Sequence, residues 1–159
     1  MRYNVLIALH ASAAMLSLAT GVGSLRLSTA RSWWYRTYAG SIGAMWAFLF
    51  AVIAIDWSGL DTATRWLYAG LLGLGLYLVW RSAHAGLRLR AHGDGWRPRY
   101  VDDVGFTLIA LFDGFVIITA LDLGAPAWLV IGIAVAGIAA GNLAMGRVKA
   151  RLGGQPATS

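Results

Sequence analysis

The chain has 159 residues, of which 58% are apolar and 13% charged, and its mean hydropathy is +0.64. Soluble domains average about 45–50% apolar and about 25% charged residues, so the composition excludes an ordinary water-soluble globule. The absence of cysteine excludes disulfide frameworks, thiolate nucleophiles, zinc fingers and iron–sulfur ligation. Basic residues outnumber acidic ones by 13 to 7, but they lie between apolar runs, so nucleic acid is not predicted as a partner.

The sequence predicts an all-α polytopic membrane protein, with residues 1–152 as one bundle of five transmembrane helices and residues 153–159 as a flexible tail. A spanning helix needs about 20 mainly apolar residues. Backbone polar groups find no water inside a bilayer, so each such run is expected to be helical and no strand is expected. Five runs meet the requirement: Tyr3–Leu25, Trp34–Ile55, Trp66–His84, Val104–Leu121 and Ala127–Met145.

Turn-forming residues separate the later spans at Asp56–Asp61, His92–Pro98 and Asp122–Pro126. The first run has two features of a signal peptide, since Arg2 precedes its apolar stretch and small residues occur near Ala11–Ala13. The run is longer than the apolar region of such peptides, which is about 7–15 residues, and we therefore interpret it as a span.

The basic residues predict the orientation of the chain in the membrane. If the five runs span, 11 of the 13 Lys and Arg residues fall on one side and only Arg2 and Arg65 on the other. The positive-inside rule then places the N-terminus outside and the C-terminus in the cytoplasm. The expected location is the bacterial cytoplasmic (inner) membrane, with the lipid bilayer as the first partner.

Small residues spaced four apart predict where helices meet, because helix association in lipid depends on close packing. Such stripes occur in the first three spans: Ala13, Ser17 and Gly21; Gly43, Ala47 and Ala51; Ala69 and Gly73. In the fifth span, Gly137 and Gly141 form a GxxxG pair. This pair could serve a contact within the chain, a homo-oligomer or another membrane-protein partner.

Asp113 is the acidic residue that the sequence places near the membrane midplane. At about 1.5 Å per residue from Val104, it lies about 13–14 Å deep. An ionised carboxylate there costs at least about 2.5–3.5 kcal/mol, so we expect it to be protonated, paired or beside water. It should face the bundle interior, within reach of at least one polar side chain, bound molecule or water. Two interpretations stay open: a ligand- or proton-binding site, and a structural polar contact.

His10 and His84 are two further candidates for ligand or proton binding. His10 lies about 9 Å below the outer surface by the same count, and His84 lies near the inner end of the third span. A haem between two histidines needs both rings at one depth, so haem is a possible but disfavoured cofactor. Imidazoles bonded to neighbouring helices are the alternative. No metal site is predicted, because no ligand-type residues in a span have the required spacing.

A polar cluster is predicted at the cytoplasmic end of the third helix, where Arg81, His84 and Arg88 share one face. Asp102 and Asp103 are expected to begin the fourth helix, where acids complement the helix dipole and can pair with these arginines. The cluster could be a structural staple, or it could be a pocket for an anion or a lipid headgroup.

Two segments carry a family resemblance: His10 with the following Leu16–Gly21, and Tyr35–Gly40 at the start of the second span. Through them the chain resembles a largely uncharacterised bacterial family of predicted membrane proteins, domain of unknown function 2306. That family opens with an L-H helix and often begins its second helix with H-R-x-x-G, where this chain has Tyr35 and Ala39 in place of His and Gly. The resemblance covers roughly the first two helices and implies no activity.

The leading functional hypothesis is a non-catalytic helical membrane protein. It would be an accessory subunit, or it would bind a hydrophobic small molecule or lipid between helices. The first alternative is a small ion-coupled transporter with Asp113 as its protonatable site, and the second is a b-type haem or quinone redox protein. An enzyme is not favoured, because the chain has no phosphate-binding glycine loop, Ser/His/Asp set or metalloprotease helix.

Overall fold

Five α-helices make up the computed structural model over the residues that it describes, which are 2–25, 33–91, 93 and 95–153. No strand occurs within these ranges, so the predicted all-helical class is confirmed. A short 3₁₀ turn at Trp57–Gly59 follows the second helix. The helices in chain order are Arg2–Ser24 (α1), Trp33–Asp56 (α2), Thr62–Ala91 (α3), Trp96–Asp122 (α4) and Ala127–Gly153 (α5).

The chain divides into two compact units, Met1–Ala83 (unit 1) and His84–Ser159 (unit 2). Unit 1 contains α1, α2 and most of α3, while unit 2 contains the last turns of α3 together with α4 and α5. Within unit 1, α1 packs closely on α2, and within unit 2, α4 packs closely on α5. Residues 154–159 of the predicted tail lie outside the described residues.

Two segments of unit 1, Asn4–Ser24 and Trp33–Gly59, are long and apolar enough to cross a membrane. Within the described part of the chain, only these two segments meet both criteria. Only 22% and 28% of the residues in their most apolar windows are buried. A core helix of a soluble protein would bury most of such a surface. By length and composition, these two helices are candidate membrane spans.

The start of α4 differs from the prediction. The helix begins at Trp96, so Asp102 and Asp103 lie about two turns inside it and do not form its first turn. The positive φ of Gly95, 66°, turns the chain into the helix. Pro98 fits the first turn, because the backbone N–H that proline lacks has no partner there. The prediction treated Pro98 as part of a break, whereas the structure uses it at a helix start.

The end of α4 is where the sequence predicts it. Gly124 adopts a left-handed φ of 76°, and the N–H of Ala125 donates to the carbonyl of Ala120 at 2.9 Å. This is the bond of a Schellman motif, which satisfies a carbonyl that the ended helix leaves without a partner. Pro126 follows and separates α4 from α5.

The contact between α1 and α2 uses the stripe predicted for α1, since Ala13, Ser17 and Gly21 are all buried. The Ser17 hydroxyl donates to Oγ of Ser41 on α2 at 2.8 Å. A Cβ at Gly23 would come within 2.7 Å of the ring of Trp34 on α2. The predicted stripe is therefore confirmed for α1.

The stripes predicted for α2 and α3 are wrong as contact surfaces. Nothing lies within 4 Å of the Cβ position at Gly43 or Gly73. Trp46 of α2 fills the space towards α3 instead, with its ring 2.7 Å from the Cβ position of Gly75 and its Nε1 donating to the Leu72 carbonyl at 3.0 Å. The ring of Trp46 separates the backbones of α2 and α3. A small residue is therefore needed opposite this ring, at Gly75, and not at the positions of the predicted stripes.

In unit 2, the antiparallel register of α4 and α5 follows from three contacts spaced four residues apart on both helices. Each contact places a side chain over a glycine of the facing helix, which allows the backbones to approach closely. The three pairs are Met145 over Gly105, Ile109 over Gly141 and Asp113 over Gly137. The GxxxG pair of α5 thus makes a contact within the chain, the first of the alternatives predicted for it.

Gly141→Ala should destabilise the protein, because the new Cβ would lie 2.5 Å from Cγ1 of Ile109. Overpacking of this kind costs about 1–3 kcal/mol, which we expect to lower the midpoint of thermal unfolding. Gly132→Ala is the matched control on α5, since nothing lies within 4 Å of its Cβ position. Adding Ile109→Ala to Gly141→Ala should restore part of the lost stability. Equal melting of the two glycine variants would refute the assigned register.

Candidate functional site

Asp113 lies in the contact between α4 and α5 and is only 7% exposed. Its carboxyl packs against the backbone of Gly137, where any side chain on α5 would displace it. Its Oδ2 is buried and has no hydrogen-bond partner among the described residues. The structure therefore buries Asp113 as expected, and the described residues supply no hydrogen-bond donor to this oxygen.

The segment of α5 that faces Asp113 carries no charge, since residues 127–146 contain no ionisable side chain. A buried carboxylate is stable when a cation or several hydrogen-bond donors compensate it. Gly137 offers neither, because it has no side chain. Asp113 is consequently a buried acid that the facing segment of α5 does not compensate, and it is the main candidate for a working group.

A groove of about 290 Å³ opens between α4 and α5 on the side of Asp113 that leads to the start of α4. It combines two polar side chains with an apolar wall. Ile109 belongs to this wall and also packs on Gly141, one turn from Asp113. The groove is lined by Asp102, Phe106, Ile109, Asn142, Met145 and Gly146.

The polar cluster predicted near the end of α3 is built in unit 2 around Arg88 and Asp103. Nη1 of Arg88 lies 2.9 Å from Oδ2 of Asp103, and it also donates to the carbonyl of Arg99 at 3.1 Å. Asp103 is nearly buried, whereas Arg88 is partly exposed. This ion pair joins the end of α3 to the second and third turns of α4.

The three other members of the predicted cluster have different surroundings. Arg81 lies in unit 1, where its Nη1 donates to the Tyr77 hydroxyl at 3.2 Å and its guanidinium carbon lies 5.9 Å from the centre of that ring. His84 is half-buried on α3. Asp102 lines the groove.

His10 lies on α1, with its Nδ1 2.9 Å from the carbonyl oxygen of Met45 on α2. A carbonyl only accepts, so Nδ1 carries the proton in this bond, and the neutral ring has its lone pair on Nε2. This arrangement resembles the way a metal-binding histidine is oriented by its second nitrogen. The described residues nevertheless contain no group of three or more His, Cys, Asp or Glu side chains that could hold a metal ion.

Asn142 and Met145 were missed by the sequence analysis. The spacing of residues along the two helices could have indicated them. On α4, residues with this spacing of four are Gly105, Ile109 and Asp113, and on α5 they are Gly137, Gly141 and Met145. Pairing the two rows in antiparallel order gives the observed register. Asn142 then follows as the polar residue next to Gly141 at the groove.

No family model matches the chain, and neither a curated protein nor a solved structure matches it. The resemblance to domain of unknown function 2306 remains a prediction.

Arg88→Gln should lower the free energy of unfolding by about 1–3 kcal/mol, because it removes the cation from a buried carboxylate. The reversed pair, Arg88→Asp with Asp103→Arg, should recover part of this loss. Arg97→Gln is the control, since Arg97 is exposed on α4 and packs on Trp96. Denaturant unfolding of the purified variants measures the effect, and strictly additive losses in the double variant would reject the ion pair.

Proposed function

We propose that the chain is an integral membrane protein with five spans, an external N-terminus and a cytoplasmic C-terminus, and that it binds a phospholipid between α4 and α5. The lengths of the remaining helices support the five spans. α3 has 30 residues, and α4 and α5 have 27 each, which corresponds to about 40–45 Å of helix. A hydrocarbon core of about 30 Å is shorter than each of them.

The surface of α4 and α5 also supports this placement. Phe112, Phe115, Val135 and Leu143 are all more than half exposed. Large apolar side chains in water would form an unfavourable surface, whereas acyl chains cover them without cost. The basic residues of the 3–4 connection and of the C-terminal segment then lie on the cytoplasmic side, as the positive-inside rule requires.

The groove between α4 and α5 is the observation that carries the lipid-binding proposal. In the proposed orientation, Asp102 lies near the cytoplasmic headgroup level, and Phe106 and Ile109 lie one and two turns deeper. An ammonium headgroup can pair with the Asp102 carboxylate, and the Asn142 amide can donate to an ester carbonyl. The acyl chain then follows the wall of Phe106 and Ile109. This chemistry selects an ammonium-bearing phospholipid.

The proposed topology can be tested with single cysteines, because the natural chain has none. Ser58→Cys and Gly93→Cys occupy exposed positions in two different connections. A membrane-impermeant maleimide should label Ser58→Cys in intact cells and Gly93→Cys only after permeabilisation. The parent chain is the unlabelled control. Labelling of both positions from the same side would exclude the five-span topology.

Asn142→Trp should reduce the retention of phosphatidylethanolamine by about tenfold, the equivalent of ~1.4 kcal/mol, because the indole fills the groove and removes the amide. Leu143→Trp is the matched control: Leu143 is the next residue on α5, is 68% exposed and does not line the groove. Native mass spectrometry of protein exchanged into defined lipid measures retention.

A comparison of two phospholipid headgroups provides a second test of the groove. Phosphatidylglycerol has no ammonium group and should be retained less than phosphatidylethanolamine, and Asp102→Asn should remove this preference. Equal retention of both lipids by the natural chain, or equal losses in Asn142→Trp and Leu143→Trp, would contradict the assignment of the groove.

A further inference from the structure

The α4–α5 contact contains a carboxyl that a purely structural role does not explain. A structural aspartate between helices would bond to a donor on the facing helix, but Oδ2 of Asp113 is buried and lacks a partner among the described residues. The facing position is Gly137, which has no side chain to donate. The neutral acid is the form that tolerates such a site, because it avoids burying an uncompensated charge.

The residues around Asp113 also indicate which ion this carboxyl binds. A metal cation needs several oxygen or nitrogen ligands, and six or more for the common hard ions. Asp113 has no ionisable neighbour on residues 127–146 of α5, and it belongs to no group of three metal-binding side chains within the described residues. A proton needs only one carboxylate oxygen. The chemistry of this position therefore fits a proton and not a metal ion.

We propose that Asp113 is a proton-binding site closed by Gly137, and that it exchanges its proton with the α4–α5 groove past the side chain of Ile109. This inference rests on the proposed membrane placement of α4 but not on the lipid assigned to the groove. When the groove holds no lipid, release transfers the proton from the Asp113 carboxyl to a water molecule in the groove, which becomes hydronium, and leaves the carboxylate. Uptake is the reverse step.

Ile109 is the barrier in this route. It lies one turn from Asp113, about 6 Å along the helix, and it both lines the groove and packs on Gly141. Water in the groove is thus one apolar layer from the carboxyl. Movement of Ile109 away from Gly141 would connect the two, so a small opening of one contact is enough for exchange.

Two carbodiimides with different solubility test the state of Asp113 in the full chain, purified in lipid-free micelles at neutral pH. The apolar dicyclohexylcarbodiimide adds to protonated carboxyls, the acid proton passing to nitrogen and the oxygen to the central carbon. It should label the natural chain at Asp113, as located by peptide mass spectrometry. A water-soluble carbodiimide with an amine nucleophile should instead label the exposed Asp56.

Asp113→Asn should lose the apolar label, whereas Asp56→Asn should keep it. Sodium ions should leave the labelling unchanged, because a proton is the ligand. Absence of the apolar label at Asp113 in the natural chain would overturn the proposal whether or not the variant folds. Protection by sodium would overturn it in favour of a metal cation.

Ile109→Ala tests the route. The smaller side chain should open the layer between the groove and Asp113, so that the water-soluble reagent labels Asp113 several-fold more than in the natural chain. Ile138→Ala, at a half-exposed position of α5, should leave the labelling unchanged. Equal labelling in both variants would reject Ile109 as the barrier. The cysteine topology test and lipid retention are separate readouts, so failure of the membrane placement or of the groove ligand would be recognised independently.

Discussion

The close approach of α4 and α5 depends on a glycine at each of three contacts, Gly105, Gly137 and Gly141. Removing the Cβ lets Met145, Ile109 and Asp113 lie directly against the backbone of the facing helix. This packing is stabilised by dispersion attraction between many atoms at short distance. Dispersion does not depend on the release of water. Such packing works among acyl chains, where the hydrophobic effect between helices is absent.

Unit 1 uses the same principle with larger side chains. Trp34 packs over Gly23 between α2 and α1, and Trp46 packs over Gly75 between α2 and α3. The indole of Trp46 also donates to a backbone carbonyl of α3, as the hydroxyl of Tyr35 does further along that helix. These donors bond to carbonyls that already take part in helix hydrogen bonds, so they link helices without breaking any.

The sequence predicted the parts of the fold that follow from local chemistry. Apolar length predicted the helices, and Gly124 with Pro126 predicted the end of α4, because each depends on nearby residues alone. The contacts of α2 and α3 were not predictable in this way. A stripe shows where small residues lie along one helix, but the contact depends on which large side chain faces them, as Trp46 and Gly75 show.

The adjacent residues Asp102 and Asp103 of the candidate site also show that sequence alone does not determine which neighbour a side chain faces. Successive side chains of a helix point about 100° apart, so Asp102 and Asp103 leave α4 in different directions. Asp103 pairs with Arg88, and Asp102 lines the groove. The sequence identified both acids as partners for arginine, but only the rotation of α4 places Asp103 against Arg88 and Asp102 at the groove. Since three contacts of a side chain with a glycine fix the register of α4 on α5, one register places both Asp113 in the helix contact and Asp102 at the groove.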